Sequence, residues 1–333
     1  MSEQRFPFSG IPTGWYMVGT SDELKPGAVL TRKYFGTELV LFRTEKGVFR
    51  ASDPFCPHLG AHLGQGSVCG EELKCPFHGF RFDTDGNCTG TPYPGGRPPR
   101  KASLRLYPTR ELNGMLLAFY DALGREPTWE APELDTGVSP GFRWNSFELN
   151  SHPQETSENS VDIGHFAILH DFMEPRSEGS LELDGPLLRT KYSVKRRLDF
   201  LGMPNRGLGA SFNVFVYGLG YSLVEAHIPH VKLDLKFLIM ATPIHDSRIH
   251  LRVGATTSRY AVPGLTQLAQ RIALHFLTLE VSADVPIWEA KRYEAKPALA
   301  QGDGEIAAYR RWAEQFYPPT EGGKGKVALP VAS

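Results

Sequence analysis

The sequence predicts an α+β protein of two domains: an all-β N-terminal domain, and a second domain in which an antiparallel sheet holds a long C-terminal helix. Its 333 residues correspond to about two domains. Short runs of alternating apolar and polar residues fill much of the chain, which is typical of half-buried strands. A long segment with helical spacing begins near Leu265.

The first domain is predicted to span residues 1–123. Its strand-like runs are separated by Gly, Asp and Pro turns, as in an antiparallel barrel or sandwich. The segment Thr84–Asn87 has a glycine where a hairpin turn requires positive φ. The runs are Trp15–Val18, Leu39–Arg43, Val48–Ala51, Leu73–Cys75, Arg81–Phe82 and Met115–Tyr120.

Residues 124–141 are predicted to form a linker, because Pro, Gly and acidic residues are frequent there and periodicity is weak. The second domain, residues 142–333, should begin with the strand Phe142–Leu149 and a helix that runs through His170. The remaining strands are predicted at Leu187–Val194, Ser211–Tyr217, Tyr221–Ala226, Val231–Ile239 and Ile249–Thr256.

A sheet that holds a long helix would leave an apolar cavity between the two. Each side chain that we place in this cavity is equally consistent with ordinary core packing. The candidates are Phe212, Val214, Val216, Phe237, Ile239 and Trp288.

Composition excludes several functional classes. The formal net charge of −1 gives no electrostatic case for nucleic-acid binding. No run of eighteen apolar residues is present, so no transmembrane segment is expected. The N-terminus lacks the apolar core of a signal peptide, and we therefore expect a cytoplasmic protein.

The most informative motif is Cys56-Pro-His58 followed by Cys75-Pro-Phe-His78. Two cysteines and two histidines in this order can hold a Rieske [2Fe–2S] cluster. Structural zinc is the alternative, but its paired ligands are usually two to four residues apart. Together with Cys69 and Cys88, the four cysteines could form two disulfides, although a chain of this length does not need them.

These residues, within C-P-H-L-G-A-H-L-G-Q-G and C-P-F-H-G, resemble the Rieske domain of ring-hydroxylating and related non-haem iron oxygenases. Respiratory Rieske proteins have a further cysteine in each loop, where this chain has Ala61 and Phe77. The resemblance therefore implies an oxygenase with a low-potential cluster. It also implies a helix-grip fold for the second domain.

A second motif, D-x-x-H-x-x-x-x-H, places His165 and His170 after Asp162 and resembles the mononuclear iron motif of the same oxygenases. Two imidazoles and one carboxylate form a facial triad that leaves positions open for dioxygen. Histidines five residues apart diverge by about 140° on a straight helix, so we predict a kink or π-bulge between them. By itself, the segment is equally typical of a packed helix.

The third iron ligand is predicted to be Asp284, which continues an apolar helical stripe and precedes Ile-Trp as in steroid-processing members of the family. Glu280 lies on the same helical face and is the competing candidate. Pro286 should kink or end this helix. The resemblance assigns Asp162, with Asn159, to a bridge that orients an iron ligand and passes electrons from the cluster of a neighbouring subunit.

The chain lacks a complete dinucleotide-binding motif, so electrons from NAD(P)H must come through a separate flavin or iron–sulfur reductase, or a ferredoxin. Basic residues from Arg97 to Lys101, with Arg105 and Arg110, either dock such a carrier or form a solvated face. The resemblance further implies a homotrimer in which one subunit's cluster lies beside the next subunit's iron.

The overall layout resembles the branch that contains 3-ketosteroid 9α-hydroxylase oxygenases and cholesterol 7-desaturases. This implies a monooxygenase that uses O2 to hydroxylate, desaturate or oxidatively demethylate a hydrophobic, steroid-like substrate. Phe80 departs from the tryptophan common in that branch. The alternatives are an oxygenase of aromatic or other natural products, and a Rieske electron carrier with a ligand-binding domain.

Overall fold

The structure is a computed structural model that describes residues 5–8, 10–135, 141–198, 203–262 and 264–318. Part of the predicted linker and the last residues of the predicted second domain lie outside the described residues. Among the helices described, none is long and apolar enough to cross a membrane.

The N-terminal part is all-β, as predicted, and consists of three small antiparallel sheets. Their strand orders are β1-β11-β10, β2-β3-β4-β9 and β5-β6-β7-β8. Each of the six predicted runs overlaps a strand. The strands are β1 Gly14–Thr20, β2 Val29–Tyr34, β3 Thr37–Arg43, β4 Phe49–Ser52, β5 Ser67–Cys69, β6 Glu72–Lys74, β7 Arg81–Phe82, β8 Cys88–Gly90, β9 Leu106–Tyr107, β10 Thr109–Leu112 and β11 Met115–Tyr120.

Strand β3 is apolar along most of its length because both of its faces are covered. Leu39 and Leu41 pack into one hydrophobic cluster, whereas Val40 and Phe42 face a second cluster that contains Cys56 and Cys75. Side chains alternate between the two faces of a strand. The strand therefore joins the main core of this domain to the loops that carry the cysteine motif.

The C-terminal part contains one large antiparallel sheet, in the order β12-β19-β18-β17-β16-β15-β13, with β14 paired to β15. The five strands predicted between the two helical regions are present and are longer than expected. The strands are β12 Arg143–Leu149, β13 Phe172–Ser177, β14 Glu182–Asp184, β15 Leu187–Leu198, β16 Met203–Tyr217, β17 Tyr221–Ile228, β18 Leu233–His245 and β19 Arg248–Thr257.

Four helices accompany this sheet in the described part of the chain: α1 Pro153–Glu158, α2 Gly164–Ile168, α3 Leu265–Ala290 and α4 Ile306–Ala313. Helix α3 lies across the sheet and buries a stripe that includes Ala273, Leu277, Val281 and Trp288. This is the predicted arrangement of sheet and long helix. Pro286 was expected to kink or end this helix, and the second alternative is wrong, because α3 continues to Ala290.

The predicted single helix through His170 is also wrong. Helix α1 ends at Glu158 and α2 occupies only Gly164–Ile168. Between them, Asp162 Oδ1 accepts hydrogen bonds from the backbone N–H groups of Gly164 and His165, at 3.0 and 3.4 Å. A short acidic side chain that hydrogen-bonds the backbone of the following residues competes with helix continuation, and α2 begins at Gly164, one residue before the first histidine.

Candidate functional site

Cys56 and Cys75 occupy two loops of the same construction. The N–H of Gly60 donates to the carbonyl of Cys56 at 2.9 Å, and the N–H of Gly79 donates to the carbonyl of Cys75 at 3.1 Å. Both glycines have positive φ, at 77° and 65°, which is the conformation that favours glycine. Each Cys and His pair of the motif therefore lies within one hydrogen-bonded turn.

The structure brings the two motif loops together. Both thiols are free and buried, and the half-buried rings of His58 and His78 lie 4.8 Å apart at 77°. Burial raises the pKa of Cys56 to about 11, and the neighbouring Cys75 adds to this effect. A buried thiol with a raised pKa needs a bound cation to become a thiolate. Two buried thiols beside two imidazoles fit a Rieske cluster.

Two further features of these loops were not predicted from the sequence. The ring of Phe80 stacks on His58, with centroids 4.2 Å apart and planes at 13°. Gly66 lies so close to the other loop that an added Cβ would be 2.4 Å from the carbonyl oxygen of Lys74. The glycine at position 66 is therefore required by the close approach of the two loops.

The structure also brings His165, His170 and Asp284 together. One ligand atom from each lies within 4.8 Å of the other two. His165 belongs to α2, whereas His170 follows the end of that helix, before Asp171 with a φ of 53°. The chain separates the two histidines by ending the helix, and the predicted kink or π-bulge is wrong. Asp284 is 7% exposed, within the buried stripe of α3.

The donor set fits a metal ion. The Nδ1 atoms of His165 and His170 are buried, and each lies near a carboxylate oxygen, that of Asp162 at 3.6 Å and that of Glu280 at 3.0 Å. Burial lowers the pKa of His170, but Asp284 and Glu280 outweigh this effect and raise it to about 9. A divalent cation would replace the proton on this imidazole. Two imidazoles and one carboxylate are the ligands of a non-haem iron facial triad.

Two neighbouring polar side chains contact Asp284 and His165 of the triad. Asn159 Nδ2 donates to Asp284 Oδ1 at 3.1 Å, and Asp162 Oδ2 lies 3.6 Å from Nδ1 of His165. Burial raises the pKa of Asp162, but contacts with His165 and backbone N–H groups lower it overall. Asn159 and Asp162 thus lie beside the triad.

The competing acid, Glu280, is not part of this three-residue group. Its Oε2 lies 3.0 Å from Nδ1 of His170, whereas Asp284 Oδ1 lies 3.5 Å from Nε2 of the same ring. Glu280 also pairs with Arg196 of β15. The two acids therefore face opposite nitrogens of one imidazole.

The predicted cavity residues divide into two groups. Val214, Val216 and Trp288 are buried in hydrophobic clusters, the two valines beneath α4. Phe212, Phe237 and Ile239 are only partly buried and border the cluster beneath α3. Helix α4, which covers the valines, was not predicted from the sequence.

An open groove of about 900 Å³ lies beside the second cysteine loop. Its lining includes Phe77 and His78, together with the cations Lys74 and Arg81. Phe55, Leu59 and Phe77 are 57–66% exposed around the two histidine tips. Large apolar residues exposed together commonly mark an interaction surface.

Two family models match this chain. Residues 14–108 match the family model described as the Rieske [2Fe-2S] domain, and residues 118–317 match that of the 3-ketosteroid 9alpha-hydroxylase C-terminal domain. The "Cholesterol 7-desaturase nvd 1" of Ciona intestinalis is 30% identical over 92% of this chain and 68% of its own length. The "Probable 3-ketosteroid-9-alpha-monooxygenase, oxygenase component" of Rhodococcus rhodochrous is 31% identical over 92% of this chain and 80% of its own length.

Among solved structures, dicamba monooxygenase bound to 3,6-dichlorosalicylic acid has the same fold, with a TM-score of 0.72 at 19% identity over 91% of this chain and 96% of that one. Another structure of that enzyme, with a TM-score of 0.65 at 18% identity over 92% of this chain and 96% of that one, contains non-heme iron and dicamba.

Proposed function

We propose that this chain, which belongs to the Rieske oxygenase family, is the cytoplasmic terminal oxygenase of a multicomponent system that oxidises a steroid-like substrate. The observation on which this proposal depends is the convergence of His165, His170 and Asp284 on one point, with ligand atoms within 4.8 Å. Nothing local in the sequence requires Asp284 to meet the two histidines. A catalytic role explains a buried carboxylate in a stripe that is otherwise apolar from Ala273 to Trp288.

Cys56, His58, Cys75 and His78 would hold the [2Fe–2S] cluster, and His165, His170 and Asp284 would hold Fe(II). When bound, these groups supply single electrons and a coordination site for dioxygen. The residues of the chain orient the ligands: Asn159 donates to Asp284, and Asp162 lies beside His165. In the assembled enzyme, Asp162 would also contact the cluster of a neighbouring subunit.

Electrons would come from NAD(P)H through a separate flavin or iron–sulfur reductase, or a ferredoxin. A relative is named as an oxygenase component, which supports a partner protein. The groove beside His78, with Lys74 and Arg81, suits an acidic carrier. The exposed Phe55 and Leu59, which do not line this groove, would instead meet the next subunit of a homotrimer.

The substrate would be a hydrophobic polycyclic molecule that is hydroxylated, desaturated or oxidatively demethylated. Two relatives are named for cholesterol and 3-ketosteroid chemistry, which supports a steroid-like substrate. The partly buried Phe212, Phe237 and Ile239 suit an apolar ligand between the sheet and α3.

The test combines metal analysis with product analysis. We expect roughly three iron atoms per chain, two of them in a cluster with a Rieske spectrum after dithionite reduction. With a reconstituted reductase, a panel of steroids should yield an oxidised product and stimulate oxygen consumption. Two irons per chain without any product would instead indicate an electron carrier, and a colourless zinc protein would overturn both assignments.

Aromatic compounds belong in the same panel, because the matching fold occurs in an enzyme bound to a chlorinated salicylate. Turnover of these compounds, with the steroids unchanged, would keep the oxygenase assignment and reject the steroid class.

A further inference from the structure

Helix α3 presents two carboxylates to a single imidazole. Asp284 Oδ1 lies 3.5 Å from Nε2 of His170, and Glu280 Oε2 lies 3.0 Å from Nδ1. Four residues of helix rise by about 6 Å, so the two acids bracket the ring along the helix axis. The His170 side chain is 5% exposed, which leaves water little access to either nitrogen.

Glu280 is itself held in place by the sheet. Arg196 Nη1 donates to Glu280 Oε1, and the Arg196 guanidinium lies 5.2 Å from the centroid of the Phe172 ring. Phe172 is the cross-strand neighbour of Arg196 in the pairing of β13 with β15. The guanidinium therefore has two fixed contacts, and its charge balances that of Glu280.

The same relation recurs at the other histidine of the triad. Asp162 Oδ2 lies 3.6 Å from Nδ1 of His165, so each histidine has one carboxylate on its Nδ1 side. Histidines that bind metals generally donate their other N–H to such an acceptor, which fixes both the tautomer and the ring orientation. The family resemblance assigns this task to Asp162 alone.

We propose that Glu280, anchored by Arg196, is a positioning residue that accepts the Nδ1 proton of His170 and turns Nε2 toward the iron. The ion pair with Arg196 also keeps Glu280 from entering the site as a competing carboxylate ligand. This inference rests on the proposed function, because it takes His170 as an iron ligand.

The first test measures Fe(II) binding to protein whose cluster is intact but whose mononuclear iron has been removed. In anaerobic competition with a chelator, Glu280→Gln should bind Fe(II) about tenfold to a hundredfold more weakly than the wild type. The electron paramagnetic resonance spectrum of the nitric oxide adduct should also change, because the imidazole is reoriented. The Rieske spectrum should be unchanged, which shows that the fold is retained.

A second set of variants tests the ion pair between Arg196 and Glu280. Arg196→Met should alter the nitric oxide spectrum and weaken Fe(II) binding, and Arg196→Lys should restore part of the affinity. Lys195→Met is the matched control, because Lys195 is the preceding residue of β15 and pairs with Glu174 at 2.8 Å. The double variant Glu280→Gln/Arg196→Met should lose no more affinity than Glu280→Gln alone, since the two residues act as one unit.

The outcomes distinguish this inference from the proposed function. A wild-type protein without any mononuclear iron site would overturn both. Wild-type iron binding and turnover, with unchanged affinity and spectrum in Glu280→Gln, would overturn the inference alone. If Glu280→Gln does not fold, unchanged Fe(II) binding in Arg196→Met would overturn it equally, because the Arg196 side chain is 43% exposed and tolerates replacement.

Discussion

The two candidate metal sites assemble their residues in opposite ways. Cys56 with His58, and Cys75 with His78, each lie within one turn that backbone hydrogen bonds close. In the triad, His165 and His170 lie on either side of a helix end, and Asp284 comes from α3, far along the chain. The backbone therefore shapes the cluster site, whereas packing of α3 shapes the iron site.

This difference determines how each site can be damaged. The cluster loops depend on glycines that allow tight turns and close approach, such as Gly60 and Gly66. The triad depends on side-chain contacts, such as the hydrogen bond from Asn159 to Asp284. Substitutions should therefore affect one site and spare the other.

The largest effect is expected for Cys75→Ala. Loss of one thiolate should abolish the visible Rieske spectrum and turnover, because the cluster requires both cysteines. Fe(II) binding at the triad, measured by competition with a chelator, should be retained. Cys69→Ala is the control, since Cys69 is an exposed free thiol close to the same loops. Loss of both the cluster and Fe(II) binding in Cys75→Ala would contradict the expectation that the two sites are independent.

Asp284→Asn should produce the reciprocal defect. Removal of the carboxylate from the three-residue group should weaken Fe(II) binding by about a hundredfold or more and abolish product formation. The Rieske spectrum should remain that of the wild type. Glu289→Gln, on the same helix but outside the group, should leave both metals in place. Normal iron content in Asp284→Asn would mean that another acid is the ligand.

Gly66→Ala should damage the cluster site through the backbone alone. Its Cβ would lie 2.4 Å from the Lys74 carbonyl, and the resulting displacement of the loop should cost about 1–3 kcal/mol. The amount of [2Fe–2S] cluster per chain should fall, whereas the Fe(II) affinity of the triad should not change. Gly209→Ala is the matched control, because a Cβ added at that glycine would have no atom of the described residues within 4 Å beyond its chain neighbours. Full cluster content in Gly66→Ala would rule out this close contact.

Asn159→Ala should have the smallest effect. Loss of one hydrogen bond to Asp284 costs about 1 kcal/mol, which corresponds to roughly a fivefold loss of Fe(II) affinity. The cluster spectrum should not change. Asn145→Ala removes a comparable but exposed amide contact, to Thr278, and should leave the affinity unaltered. An unchanged affinity in Asn159→Ala would show that Asp284 needs no support from the end of α1.

Strands were predicted well because their alternation is local. In β18, Leu233, Leu235 and Phe237 alternate with Asp234 and Lys236, and this pattern can be recognised from the sequence alone. The region around His165 was predicted less well, since its apolar spacing resembles one helix. The Asp162 side chain interrupts that helix through hydrogen bonds that spacing does not reveal.

The sequence by itself determined the cluster motif, the approximate positions of the strands and the long helix, because each depends on residues that are neighbours along the chain. Only the tertiary structure decided which acid lies within reach of both histidines. Glu280 and Asp284 are one turn apart on the same face of α3, and the packing of that helix against the sheet sets Asp284 toward Nε2 of His170 and Glu280 toward Nδ1. Such a choice depends on distances between elements, which periodicity along one element does not contain.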